Sequence, residues 1–94
     1  MKVVFAPEAE RDLLAAVEFL SGRNSAAAVR LYTNVADIVG RLAEGDFEGP
    51  EQRLRSGAIV RSWPVTPYRI YYLREEATLR IIRIYHQARR PITR

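Results

Sequence analysis

The sequence contains no cysteine, one histidine and one lysine among its 94 residues. Without cysteine the chain can form neither a disulfide bond nor a thiolate metal site, and one histidine is too few for the usual zinc ligands. We therefore expect no metal and no cofactor. No apolar run approaches the roughly 18 residues of a transmembrane helix, and the N-terminus lacks a signal-peptide pattern. A cysteine-free chain also suits a reducing compartment, so we expect a cytoplasmic protein without membrane contact.

Sequence motifs of catalysis are equally scarce. The chain has no glycine-rich phosphate loop, no HExxH motif, no nucleophile elbow and no persuasive pair of carboxylates. Its single histidine, His86, lies at the end of a predicted strand, where histidine more often bonds a backbone group than acts in catalysis. The residues leave open whether the chain is an enzyme, but they favour a protein that works by binding.

Positive charge is abundant but unevenly distributed. The net charge of +4 combines −3 over residues 1–49 with +7 over residues 50–94, and every basic residue except Lys2 is arginine. Arginine makes forked contacts with phosphate and carboxylate groups and stacks on aromatic rings. The second half therefore suits a polyanionic partner, either a nucleic acid or an acidic protein segment, although solvation of an exposed sheet face would explain the same charges.

The first half of the chain predicts a strand followed by two helices. Lys2–Phe5 is a short apolar run typical of a strand, and Pro7 suits the first turn of a helix that begins with acidic residues. Apolar residues then recur at helical spacing in two stretches. The second stretch has Asn24 or Ser25 as its N-cap and Gly45 just beyond its last turn. Two helices separated by so short a break predict an antiparallel hairpin.

The second half predicts three strands, rich in tyrosine, isoleucine and valine, at residues 58–65, 68–74 and 79–86. Pro64 cannot donate to a ladder, which indicates either an edge position for the first of them or a kink at its end. Residues 46–57 form a polar connector without periodicity. Short links favour an antiparallel meander. We predict a single α+β domain over residues 1–94, in the order β-α-α-β-β-β, whose small, mainly antiparallel sheet packs against the helical hairpin.

Neither of the last two predicted strands is cleanly amphipathic. Regular alternation on the last strand separates Leu79, Ile81, Arg83 and Tyr85 from Arg80, Ile82, Ile84 and His86. Both sets mix charged with apolar residues. The mixture fits a sheet that is covered by helices on one face and by a partner on the other, although twist or a bulge would blur the pattern in the same way.

Three segments together resemble a known family. They are F-x-P-E-A-x-x-D-L from Phe5 to Leu13, W-x-V-x-P-Y-R-I-Y-Y from Trp63 to Tyr72, and I-x-R-I-Y-H-Q-A-R from Ile81 to Arg89. In this order and spacing the chain resembles the RelE/ParE superfamily of toxins from type II toxin–antitoxin systems. The resemblance covers almost the whole chain. It implies a small sheet packed on a helical hairpin, which agrees with the topology derived from the residues.

The resemblance implies two alternative activities. RelE-like members cleave messenger RNA on the ribosome, and in that case Arg69, His86 and Arg89 would be the catalytic residues of an endoribonuclease. ParE-like members inhibit DNA gyrase. The chain lacks the lysine cluster of the nucleases and a tyrosine after its last strand, whereas its H-Q-A-R ending looks ParE-like. We therefore favour a ParE-like gyrase inhibitor, with the nuclease and a non-toxic basic binding module as alternatives.

The ParE-like reading also implies partners. A ParD-like antitoxin would neutralise the chain in a hetero-oligomer, and DNA gyrase would be the target; direct binding of nucleic acid stays open. The residues that we expect to contact the target are Arg69, Tyr71, Arg83, His86, Arg89 and Arg90. The apolar residues that we expect to contact the antitoxin are Leu73, Leu79 and Ile81.

Overall fold

The computed structural model describes residues 1–54 and 56–87, which form five strands and two helices. The elements are β1 (Lys2–Phe5), α1 (Pro7–Ser21), α2 (Ser25–Glu44), β2 (Glu51–Arg53), β3 (Ile59–Val65), β4 (Tyr68–Glu75) and β5 (Thr78–His86). The predicted α+β class and element order are confirmed, with one addition. Strand β2 lies inside the segment predicted as an irregular connector, because three residues are too few for alternation to be recognised.

The strands form one sheet in the order β1-β5-β4-β3-β2. The meander β3-β4-β5 is antiparallel as predicted, whereas β1 lies parallel to the first half of β5. Strand β2 opposes only Ile59 to Arg61 of β3, and Pro64 pairs with Arg69 of β4 further along. The predicted edge position of β3 is wrong, because β3 lies between β4 and β2. Within the described part of the chain, only the end of β3 around Pro64 lacks a second neighbouring strand.

Local sequence signals set the ends of both helices. Pro7 occupies the first turn of α1, and Ala6 before it provides no side-chain cap. Asn24 caps α2, since its Oδ1 accepts a hydrogen bond from the N–H of Ala27 at 3.1 Å. Gly45 follows α2 with φ = 80°, a left-handed conformation that glycine adopts without steric cost. The helical hairpin is therefore bounded as predicted.

One face of the sheet, here called the helix face, packs against α1 and α2 and forms the main core. Its fully buried sheet residues are Ile70, Tyr72, Leu79 and Ile81. The helices contribute the predicted stripes; in α2, Leu31 is buried in the core, whereas its neighbour Tyr32 is exposed. The other face of the sheet, here called the opposite face, carries a smaller cluster in which Leu54, Val60 and Tyr71 are buried.

A bulge in β5 explains why that strand looked poorly amphipathic. Tyr71 pairs with Arg83, but the next residue, Tyr72, pairs with Ile81, so Ile82 is an extra residue in β5. Such a residue interrupts the alternation of side chains. As a result Ile84 joins Ile81 on the helix face, and the prediction that regular alternation separates these two residues is wrong.

Candidate functional site

Arg69 lies on the opposite face, where it pairs with Tyr85 of β5. Its guanidinium donates a hydrogen bond to Oγ of the buried Ser62 at 2.8 Å. In residues 1–54 and 56–87, no carboxylate forms a salt bridge with Arg69. Tyr71, on the same face, is only 4% exposed. Arg69 therefore presents a positive charge anchored by a neutral hydroxyl, whereas Tyr71 is too buried for the target contact predicted for it.

His86 lies on the helix face and pairs with Tyr68. The two rings meet edge to face, with 5.1 Å between their centroids. Both residues line a cavity of about 320 Å³ between the α1–α2 turn and the adjoining ends of β4 and β5. Arg69 and His86, which were predicted to act together in a nuclease, therefore lie on opposite faces of the sheet and are not brought into one site.

Arg83 is held by a carboxylate of α1. Its Nε and Nη2 donate to the two oxygens of Asp12 at 2.8 and 3.1 Å, and its guanidinium stacks over the ring of Tyr85 at 4.3 Å. The hydrogen bonds to Asp12 raise the pKa of Arg83 above its ordinary value, against the effect of burial. The charge predicted for a target is therefore already compensated within the chain.

Asp12 also completes the edge of β5. Strand β1 stops opposite Ile81, and three residues further along the N–H of Ile84 donates to Oδ2 of Asp12 at 2.9 Å. A side-chain oxygen thus replaces a strand carbonyl for this N–H. Asp12 is consequently not simply one of the acids that favour the N-terminus of α1, as its sequence position indicated, but a link between α1 and β5.

A second polar network surrounds Glu48. The Nε of Arg74 donates to both oxygens of Glu48 at 2.9 and 3.0 Å, and the buried hydroxyl of Tyr72 donates to it at 2.7 Å. That hydroxyl also accepts from the N–H of Gly49 at 2.8 Å. Burial alone would raise the pKa of Glu48, but the hydrogen bonds from Arg74 and Tyr72 and the charges of Arg74 and Arg61 lower it overall. Burial, together with Glu48, raises the pKa of Tyr72. The network ties the connector to the sheet.

Two of the three residues predicted to contact the antitoxin lie in the main core. Leu79 and Ile81 have no exposed surface and pack beneath the helices, so they cannot meet a partner in this fold. Their prediction was wrong because alternation alone does not tell which side of a sheet the helices cover. Leu73 packs half-buried against the cluster on the opposite face.

Exposed apolar side chains lie instead on the helical hairpin. They are Leu14 and Phe19 of α1 and Val29 and Tyr32 of α2, each between 58% and 65% exposed. None of these four residues was predicted to form a partner surface. A signal was present for Leu14, Phe19 and Val29, because these large apolar residues fall outside the helical stripe that predicts the core. Surplus apolar residues beside a complete stripe indicate a contact surface.

The remaining predicted target residues, Arg89 and Arg90, lie outside the described residues. Within residues 1–54 and 56–87, no group of three or more histidine or carboxylate side chains could hold a metal ion. No helix in this part of the chain has the length and apolar character needed to cross a membrane.

Comparison with known proteins agrees with the fold. No curated protein matches the sequence significantly. A solved chain described as "Chromosomal ParDE TA system from P. aeruginosa" is similar, with a TM-score of 0.72 at 16% identity over 92% of this chain and 95% of that chain. At that identity the likeness shows the fold alone. A family model described as the ParE toxin of the type II toxin–antitoxin system parDE matches residues 3–91. The chain therefore belongs to the family of ParE toxins of type II toxin–antitoxin systems.

Proposed function

We propose that the chain inhibits DNA gyrase and is neutralised by a ParD-like antitoxin that binds it in a hetero-oligomer in the cytoplasm. The observation that carries the proposal is the match of a ParE toxin model to residues 3–91, nearly the whole chain. The ParE-like start and end of the sequence, F-x-P-E-A-x-x-D-L and H-Q-A-R, point in the same direction.

The arrangement of the side chains favours gyrase inhibition over RNA cleavage. Attack by a 2′-hydroxyl needs a base, an acid and positive charge around one phosphate. Arg69 offers charge on the opposite face, while His86 lies on the helix face, and Arg83 is bound to Asp12. The groups that a nuclease would combine are thus separated by the sheet. Because Arg69 forms no salt bridge with any residue of 1–54 or 56–87, cleavage remains the second candidate function.

The hairpin surface formed by Leu14, Phe19, Val29 and Tyr32 supports an antitoxin partner. These four large apolar side chains are exposed on one helical hairpin, which makes the hairpin a candidate contact surface. The chain carries a net charge of +4, so an acidic antitoxin would be attracted to it over long range. We expect the antitoxin to lie over this hairpin surface as an extended or helical segment.

A supercoiling assay with purified gyrase tests the target. We expect the chain to block supercoiling of relaxed plasmid and to leave cleaved plasmid, and we expect the acidic product of the adjacent gene to restore activity. A variant that ends at Gln87 keeps every described element, including the hydrogen bond from Gln87 N–H to Pro67 O, and removes Arg89 and Arg90. It should lose inhibition if these arginines contact gyrase.

Translation in a cell extract provides the opposing test. If the chain is a nuclease, it will cut messenger RNA at codon-defined positions, Arg69→Ala will abolish the cuts, and supercoiling will be unaffected. Arg11→Ala is a matched control, because Arg11 is exposed on α1 and far in sequence from both predicted sites. A chain that leaves gyrase active while cutting transcripts would refute the proposed function.

A further inference from the structure

The cavity beside His86 has the composition of a site for one amphipathic group. Its walls combine apolar surface from Phe19, Leu31 and Tyr68 with polar groups from Arg30, Asn34 and His86. Its volume of about 320 Å³ lies at the lower end of the range for ligand sites. That volume leaves room for one large side chain together with part of the segment that carries it.

The charges around the cavity select an anion. Among residues 1–54 and 56–87, no carboxylate residue lines it, and Arg30 is exposed and makes no salt bridge with any of these residues. A second guanidinium, that of Arg23, lies 4.4 Å from the ring centroid of Phe19 at the cavity wall. An acidic group at the mouth would therefore meet positive charge that no carboxylate in the described part of the chain neutralises through a salt bridge.

We infer that this cavity receives one aromatic or large aliphatic side chain from an acidic segment of the antitoxin, with the neighbouring carboxylate bound by Arg30. The inference rests on the proposed function, because the antitoxin is its occupant. It adds a defined anchor to the exposed apolar surface of the hairpin. Buried anchors of this kind contribute most of the affinity of an interface.

The position of the cavity also gives the antitoxin a means of neutralisation. His86 forms part of its wall, and His86 is one of the residues expected to contact the target. An inserted side chain would cover the imidazole, so the antitoxin and the target could not occupy this end of the sheet together. Neutralisation would then follow from competition for one surface.

Two pairs of variants test the cavity. Ala27→Leu places a larger side chain in its wall, whereas Ala26→Leu makes the same change at the exposed neighbouring position. Arg30→Glu reverses the charge at the mouth, and Arg11→Glu makes the same reversal at an exposed position of α1 away from the cavity. Each pair keeps composition and net charge equal, so a difference within a pair reports on the cavity itself.

The probes are the tripeptides acetyl-Asp-Phe-Glu-amide and acetyl-Lys-Phe-Lys-amide, together with the antitoxin encoded beside the gene. We expect the acidic peptide to bind the wild type and to shift the NMR signals of Ala27 and His86. Ala27→Leu and Arg30→Glu should each weaken the acidic peptide and the antitoxin about tenfold, since losing a filled pocket or reversing a charge typically costs that much. The two controls should bind as the wild type does.

Equal binding of the two peptides, or equal binding of the acidic peptide to Ala27→Leu and Ala26→Leu, would overturn the inferred site. If the peptides behave as expected but the antitoxin binds all variants equally, the site exists and its assignment to the antitoxin is wrong, while the proposed function stands. If the antitoxin does not bind the wild type at all, the proposed antitoxin partnership fails, whatever the peptides show.

Discussion

Replacing Asp12 with alanine tests the link between α1 and β5. The carboxylate of Asp12 is 16% exposed and accepts three hydrogen bonds, two from Arg83 and one from the N–H of Ile84. Leaving a part-buried backbone N–H without an acceptor costs about 1–2 kcal/mol. The side chain of Arg83 is 30% exposed, so its guanidinium can be partly rehydrated when Asp12 is removed. Loss of the ion pair therefore adds about 1 kcal/mol. We expect Asp12→Ala to lower the free energy of unfolding by about 2–3 kcal/mol.

Asparagine at the same position separates charge from hydrogen bonding. Asp12→Asn keeps an oxygen for the N–H of Ile84 and loses the charge that binds Arg83, so we expect a loss of about 1 kcal/mol. Urea denaturation followed by circular dichroism measures both variants, with Glu18→Ala at an exposed position of α1 outside its first turn as the control. In a double-mutant cycle, Asp12 and Arg83 should show a coupling of about 1 kcal/mol. If the free energy of unfolding of Asp12→Ala lies within about 0.5 kcal/mol of the wild-type value, a range typical of surface changes, the link contributes nothing to stability and the prediction is wrong.

Three further predictions concern the connector and the β4–β5 turn. Gly49→Ala should prevent folding, because an added Cβ would overlap the carbonyl oxygen of Ser62; loss of the folded circular dichroism spectrum would show this, and a native spectrum would contradict it. Glu48 has a lowered pKa in the folded chain, so its stabilisation is complete above its unfolded pKa of about 4.3 and disappears as pH falls below that value. Glu48→Gln should show less of this acid destabilisation in denaturation curves. Ala77 has φ = 59°, and Ala77→Gly should raise the free energy of unfolding measured in urea by about 0.5–1 kcal/mol; an unchanged free energy of unfolding would show that this conformation is not strained.

The elements that could be predicted from sequence are those with local causes. Helix ends follow from Pro7, Asn24 and Gly45, whose effects act within one turn. The strand order of the meander follows from short links. These features need no knowledge of distant residues, which is why periodicity and turn chemistry were sufficient for the class and order of the fold.

The site could be predicted only in part, since its geometry depends on contacts between distant segments. The bond from Arg83 to Asp12 joins residues 71 positions apart, and nothing local in either segment indicates it. The burial of Leu79 and Ile81 depends on which face the hairpin covers. The sequence located the arginines and His86 on neighbouring strands, but it could not assign them to faces.

The extra residue in β5 has a consequence for comparisons among homologues. Without Ile82 looped out of register, simple alternation from Leu79 would carry the imidazole of His86 to the side of the sheet that holds Arg69. Relatives that share the terminal H-Q-A-R can therefore carry its histidine on different faces of the sheet, depending on whether their last strand contains a bulge. Before a residue's role is assigned from an alignment of homologues, its position in the strand, including any bulge before it, should be compared as well as its identity.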